Sequence, residues 1–156
     1  MKFNKFLPLS LTVLFLLFPS FLTAKEETQK LSGSIVKGIV EQFVSMHYSQ
    51  KPLNDEMSSR IFSLYMNRLD PAHYYFLASD VNEFRVYETR IDDMLHSGDV
   101  KLALDIFERF KTRLSERLAM MEEFLSEDFD FNRDAKWTLD RSSLPYPDSS
   151  ESAREI

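Results

Sequence analysis

Leu69-Asp-Pro-Ala-His-Tyr-Tyr-Phe-Leu-Ala-Ser-Asp-Val-Asn-Glu-Phe84 holds a helix stop, an aromatic connection and a helix start within one short stretch. Asp70-Pro71 ends the helix before it, because the proline ring disfavours the α conformation at the preceding residue and supplies no N–H. Tyr74, Tyr75 and Phe76 then form a connection far more apolar than an ordinary solvated loop. Ser79 or Asp80 is a natural cap for the helix that follows. Two helices joined through an aromatic turn set the reading of the whole chain as all-α.

Upstream of this stretch, apolar spacing predicts a helix from about Lys30 to Tyr48. It places Ile35, Val36, Ile39, Val40, Phe43, Val44 and His47 on one broad face. Pro52 interrupts, and Asn54 caps a second helix that gathers Met57, Ile61, Leu64, Tyr65 and Leu69. Downstream, a third helix carries Val81, Phe84, Ile91, Met94 and Leu95 inward and closes at Gly98. Asp99 opens a fourth, with Val100, Ala103, Phe107, Phe110, Leu114, Leu118, Met121 and Leu125 at steps of three and four. The short Gly98-Asp99 junction predicts an antiparallel hairpin. Asp105 and Arg109 stand four apart as a surface pair.

Beyond Ser126 the pattern changes. Asp128-Phe129-Asp130-Phe131 alternates, Trp137 stands among polar residues, and Pro145 and Pro147 impose an extended path. Asp148 with Glu151 reads as the start of a further helix of which only the first turns are present, which predicts a truncated chain. The expected fold is therefore an all-α antiparallel bundle of about four helices with an extended, proline-containing C-terminal strap. Its divisions are a signal peptide at 1–24, a helical N-terminal domain at 25–141, and a linker with a truncated helix start at 142–156.

The first 24 residues have the order of an export signal. Lys2 and Lys5 precede the apolar run Phe6–Leu22, Pro19 breaks it, and Ala24 stands before Lys25-Glu26-Glu27. Cleavage is the expected outcome. The rival, an uncleaved anchor, is disfavoured by Pro8 and Pro19 within a run of minimal spanning length. The expected location is periplasmic, with membrane attachment only if the leader stays on.

The chain has 19 basic and 25 acidic side chains in 156 residues. Loss of the leader removes two lysines and leaves 132 residues at a net charge of −8, a size that suits one domain. Such an acidic chain lacks the basic footprint that nucleic-acid phosphates require. It has no cysteine, which excludes disulfides, thiol chemistry and zinc thiolate sites. Its stability must come from packing, for which the nine of fourteen Phe that follow the leader, six Tyr and Trp137 supply the area. Only three glycines occur, and no phosphate loop, nucleophile elbow or oxyanion turn can be read from them.

Candidate chemistry is correspondingly thin. His47, His73 and His96 lie on three different segments without metal-ligand spacing and read as ordinary helix-face or turn histidines. Asp92-Asp93 and Glu122-Glu123 are adjacent on helices, so they point apart and read as solvated faces. Ser79 beside Asp80 and His73 raises the thought of a nucleophile, but Ser79 occupies a cap position. Tyr74-Tyr75-Phe76 could anchor a partner, although Leu77, Phe84 and Tyr87 make a core plug the simpler reading. No catalytic, cofactor-binding or metal residue is assigned, and no cofactor is implied.

Taken in order, the Leu69–Phe84 stretch, Ser97-Gly98-Asp99, the long helix with Arg113 and Arg117, Asp128-Phe129-Asp130-Phe131, Leu139-Asp140-Arg141 and Leu144-Pro145-Tyr146-Pro147 resemble the helical N-terminal domain of the tail-specific proteases. These are carboxy-terminal processing peptidases of the bacterial periplasm. The resemblance spans nearly all of the chain after the leader; Tyr146 stands where the family pattern has Trp. It implies a serine endopeptidase with a Ser–Lys dyad and a PDZ domain that captures substrate tails, parts with no counterpart in residues 1–156. Proteolysis is thus expected only of a full-length protein, with a protease body, adaptor or substrate polypeptide as partner. The alternatives are a free-standing exported helical module that binds a protein or peptide, and a small structural bundle.

Overall fold

The computed structural model describes residues 32–48, 51–126, 138 and 140–155. The leader, Lys30, Phe129, Phe131, Trp137 and Leu139 lie outside the described residues. Six helices are present among those described: α1 over residues 32–46, α2 Asp55–Leu69, α3 Ala78–Arg85, α4 Ile91–Ser97, α5 Lys101–Leu125 and α6 Ser150–Arg154. No strand occurs among them, so the all-α expectation holds.

Asn54 begins α2 as expected, its side-chain oxygen accepting the Met57 N–H at 3.0 Å. Asp55 and Glu56 in the first turn and Arg68 in the last complement the helix dipole. The buried side is Ser58, Phe62 and Met66, at steps of four. With Phe76, Val81, Phe84 and Ile106 they make the core, flanked by Tyr65, Leu69, Ile91, Leu102, Phe110 and Tyr146.

The third predicted helix is two. Tyr87, Glu88 and Arg90 donate to carbonyls three residues back, each at 3.0 Å, so the backbone tightens through residues 86–89 and a new helix starts at Ile91. The cause lies on α2. Ser58, fully buried, accepts the Asp92 N–H and donates to the Asp92 carboxylate, both at 2.8 Å. A serine from one helix thereby caps the start of another, which a continuous α3–α4 helix could not present. Asp92 is therefore committed to α2 rather than to a solvated face.

At the far end of α4, Gly98 adopts φ 75°. Its N–H bonds to Leu95 O and that of Asp99 to Met94 O, the paired closure that needs a left-handed residue. Asp99 then accepts the Lys101 N–H at 2.9 Å and opens α5.

The phase of α5 differs from the expected one. Ile106 is buried and Leu102, Phe110 and Arg113 are partly buried, whereas Phe107, Leu118, Met121 and Leu125 are exposed. Asp105 pairs with Lys101, not with Arg109. Apolar residues cover more than one side of this helix, and the arginines described below fix which side turns inward. Helix α1 is corrected in the same way: Val36, Val40, Val44 and His47 are half-buried, while Ile35, Ile39 and Phe43 face outward.

What seats α1 is a meeting of two of the three glycines. A Cβ on Gly33 would lie 2.1 Å from Gly98 O, and one on Gly98 would lie 2.9 Å from Gly33 O. Both contacts are with backbone, which cannot swing away as a flexible side chain would. Gly33→Ala should therefore detach α1 while leaving the Phe62–Phe76–Ile106 core intact, at a cost of about 1–3 kcal/mol. Hydrogen exchange checks this: Val36, Val40 and Val44 should lose protection while α2 and α5 keep theirs.

Candidate functional site

Asp70 and Asp80 stand at the two ends of the aromatic connection, and both are buried. Asp70 is the C-cap of α2. Its carboxylate accepts the N–H groups of Tyr74, Tyr75 and Phe76 at 2.8, 2.9 and 3.0 Å. Three consecutive donors on one side chain leave the loop almost no freedom to change course. His73, at φ 54°, turns the chain into that arrangement, and Phe76 is driven to complete burial. The core-plug reading is correct for Phe76; Tyr74 and Tyr75 remain half-buried.

Neither Ser79 nor Asp80 is the cap of α3, whose N-cap is Leu77; Asp80 is buried. It sits in the first turn of α3, where Oδ2 accepts the Leu77 N–H at 3.0 Å. Arg113 approaches it as a fork, Nε to Oδ2 at 2.7 Å and a terminal nitrogen to Oδ1 at 2.9 Å. Arg109 reaches Oδ1 from one turn earlier on α5 and also touches Glu83. Burial pushes the Asp80 carboxyl up, but the Arg113, Leu77 and Arg109 hydrogen bonds and the Arg113 charge hold it below the usual range. Asp80 drives the guanidinium of Arg113 further up in turn. Ser79 is exposed, and neither Asp80 nor His73 is left over to serve it.

The C-terminal strap closes over this frame. Leu144 O lies 2.5 Å from His73 Nδ1, so that nitrogen carries the proton. Tyr146 stacks on the His73 ring at 3.9 Å between centroids. Pro147 O accepts the Ala78 N–H at 2.9 Å, so the strap satisfies the first turn of α3. Arg141 lies over the Tyr74 ring at 5.7 Å. Burial, then the Asp70 charge, push the Tyr146 phenol up to about 12 against the opposing charge of Arg85.

The last helix is seated on α5. Its N-cap is Ser149, which accepts the Ser152 N–H at 3.1 Å, in place of the expected Asp148 with Glu151. Arg117 donates to Ala153 O, and Arg154 pairs with Glu123 while lying 5.3 Å from the Phe124 ring. A groove of about 350 Å³ remains beneath, lined by Tyr74, Tyr75, Leu77, Arg113, Arg117 and Met120 among others.

The remaining sequence candidates do not converge. His47 ends α1 against Phe43, and His96 bonds to Asp92 O within α4. No group of three metal-ligating side chains forms among the described residues, and no helix among them is long and apolar enough to cross a membrane. Sequence reasoning took Asp80 only as a cap candidate and missed its pairing with Arg113 and Arg109. Its signal was a ladder of arginines at Arg109, Arg113 and Arg117 on one strip of an acidic chain, but nothing in that spacing names the carboxylate it faces.

The sequence that builds this loop, ion cluster and strap has known relatives. The family described as Tail specific protease N-terminal domain matches residues 39–156. The chain belongs to that family. A curated relative, the Tail-specific protease of Haemophilus influenzae, is 31% identical over 121 residues, which cover 77% of this chain and 17% of the relative. The chain thus matches about a sixth of that relative's length. Every element of the loop–strap frame falls inside the matched region of the tail-specific protease domain.

Two outcomes follow from the buried charges. Because the folded Asp80 carboxyl is depressed, its stabilisation is complete above the ordinary carboxylate value of about 4 and is lost as pH falls below it. Asp80→Asn should cost about 3–5 kcal/mol at neutral pH by leaving Arg113 without its counter-ion, and should flatten the acid limb of a Tm-against-pH curve. At the other extreme, the raised Tyr146 phenol keeps its contribution below pH about 10 and loses it toward 12. Alkaline absorbance titration should show a late tyrosinate phase that Tyr146→Phe reduces, leaving the share of Tyr65, whose phenol burial also pushes up.

Proposed function

We propose that this chain is the N-terminal scaffold domain of a periplasmic C-terminal processing serine endopeptidase. The observation that carries the reading is the family match over residues 39–156, set beside a curated relative of which the 121 aligned residues are 17%. In this reading peptide-bond hydrolysis belongs to parts of a longer polypeptide: a PDZ domain that captures substrate tails and a Ser–Lys dyad that cuts them. The domain contributes shape. It presents a rigid helical wall, held by Asp70 and Asp80, against which the protease body or an adaptor packs. Lys2, Lys5, the Phe6–Leu22 run and Ala24 support delivery to the periplasm through a cleaved leader.

The test is to read the DNA downstream of the Ile156 codon and to express what it encodes. A continuing frame with a Gly-rich PDZ loop and a Ser–Lys peptidase, whose product cleaves a tagged substrate, is the expected result. A stop followed by an unrelated gene would overturn the reading in favour of a free-standing binding module. The 156-residue chain alone should cleave nothing; cleavage by the purified chain that survives re-purification would place the chemistry within it and sink the scaffold assignment.

A further inference from the structure

Helices α1, α2 and α4 enclose an apolar cleft that neither the core nor the loop–strap frame uses. Gly33 seats the start of α1 against Gly98. Along its second half, α1 and the two other helices leave between them a cavity of about 350 Å³. Val40 and Val44 of α1, Met57 and Ile61 of α2 and Leu95 of α4 form its half-buried walls, and Ile39 and Phe43 stand exposed at its rim. No carboxylate lines it, although the chain carries 25 acidic side chains against 19 basic. Lys51 is the one lysine or arginine in the lining. It is exposed and pairs with no carboxylate among the described residues. His47 lines the same end, its ring 5.2 Å from that of Phe43.

We propose that this cleft binds the alkyl chain of a single-chain carboxylic acid, with the carboxylate at Lys51, an inference that goes beyond the scaffold role and does not depend on it. Shape and charge select that ligand. The walls are built of aliphatic side chains, so an extended polypeptide laid between them would leave backbone N–H and C=O groups unanswered. A helix, about 10–12 Å across with its side chains, could lie only over the mouth. A cavity of this size is at the small end of ligand sites, which run from about 300 to 1,000 Å³. An unbranched chain brings carbon alone to Val40, Val44, Met57, Ile61 and Leu95, and gains by leaving water. The cation at the rim then answers a carboxylate head and repels an ammonium, while the lysine stem extends the apolar wall. Asp55 and Glu56 open α2 beyond the connection, but neither lines the cleft.

Decanoate, kept below its micelle concentration, is the probe, and an analogue with a diazirine near the end of its chain is the reporter. The full chain is irradiated with the analogue and the adducts are mapped by peptide mass. They should fall within residues 39–61 and at Leu95, and excess decanoate should suppress them. Decanol should compete at least about fivefold less well, and Lys51→Glu should weaken labelling by at least about the same factor, since it removes one exposed ion pair and adds a repulsion. Lys111→Glu on α5 should leave labelling unchanged. Hydrogen exchange of the Phe62–Phe76–Ile106 core should be the same in both variants, because both lysines are exposed. Adducts spread along the whole chain or confined to residues 1–31 would overturn the site. So would equal competition by decanol, or labelling indifferent to Lys51→Glu. An unlabelled cleft would overturn it as well; protection of Val40 and Val44 that is lost on dilution would then put a second copy there.

Discussion

The contact on which the rest of this domain depends is the fork of Arg113 on Asp80. A carboxylate that is 1% exposed is tolerable only with its charge answered and its oxygens occupied. Arg113, Arg109 and the Leu77 N–H do both. The pairing locks α3 to α5 at one rotation, because the guanidinium must reach Asp80 in the plane of its carboxylate. Once α5 is held that way, Ile106 and Phe110 must face the core, and Leu104, Phe107, Leu118, Met121 and Leu125 must face away. One ion cluster thus selects which of two apolar sides of a long helix is buried.

Asp70 does for the loop what Asp80 does for the helices. It turns a run of aromatics, which would otherwise collapse in many ways, into one path with Phe76 inside and Tyr74 and Tyr75 at the margin. The strap then rests on features that only this path creates: the His73 ring for Tyr146, the His73 Nδ1–H for Leu144 O, and the free Ala78 N–H for Pro147 O. The loop and the strap are two halves of one surface, and neither half has a reason for its shape without the other.

Much of this was legible in the chain. Asn54, Gly98 and the Asp-Pro pair act locally, through dihedral limits and caps, so their roles could be read without knowing the fold. The strap was legible because Pro145 and Pro147 constrain their neighbours wherever they lie. The failures share a cause. The break between α3 and α4 depends on Ser58 of α2, the seat of α1 on Gly33 meeting Gly98, and the phase of α5 on Asp80. Each is a decision made by a partner distant in sequence. Periodicity names the apolar positions of a helix; it does not rank two apolar sides, and on α1 and α5 both sides were apolar. The shift of the last N-cap from Asp148 to Ser149 is of another kind, since several adjacent residues there could cap.

The seating of the strap also governs the order in which the domain can be assembled. Its contacts are far apart along the chain: Leu144 reaches back 71 residues to His73, and Ala153 reaches back 36 to Arg117. Closing such loops is slow relative to forming helices. A chain emerging N-terminus first would complete α2 to α5 while the aromatic loop still lacked its cover, with Tyr74 and Tyr75 open to other proteins. The domain is finished last at the rim of Tyr74 and Tyr75, and in the interval before residues 144–154 arrive that rim is open to a chaperone.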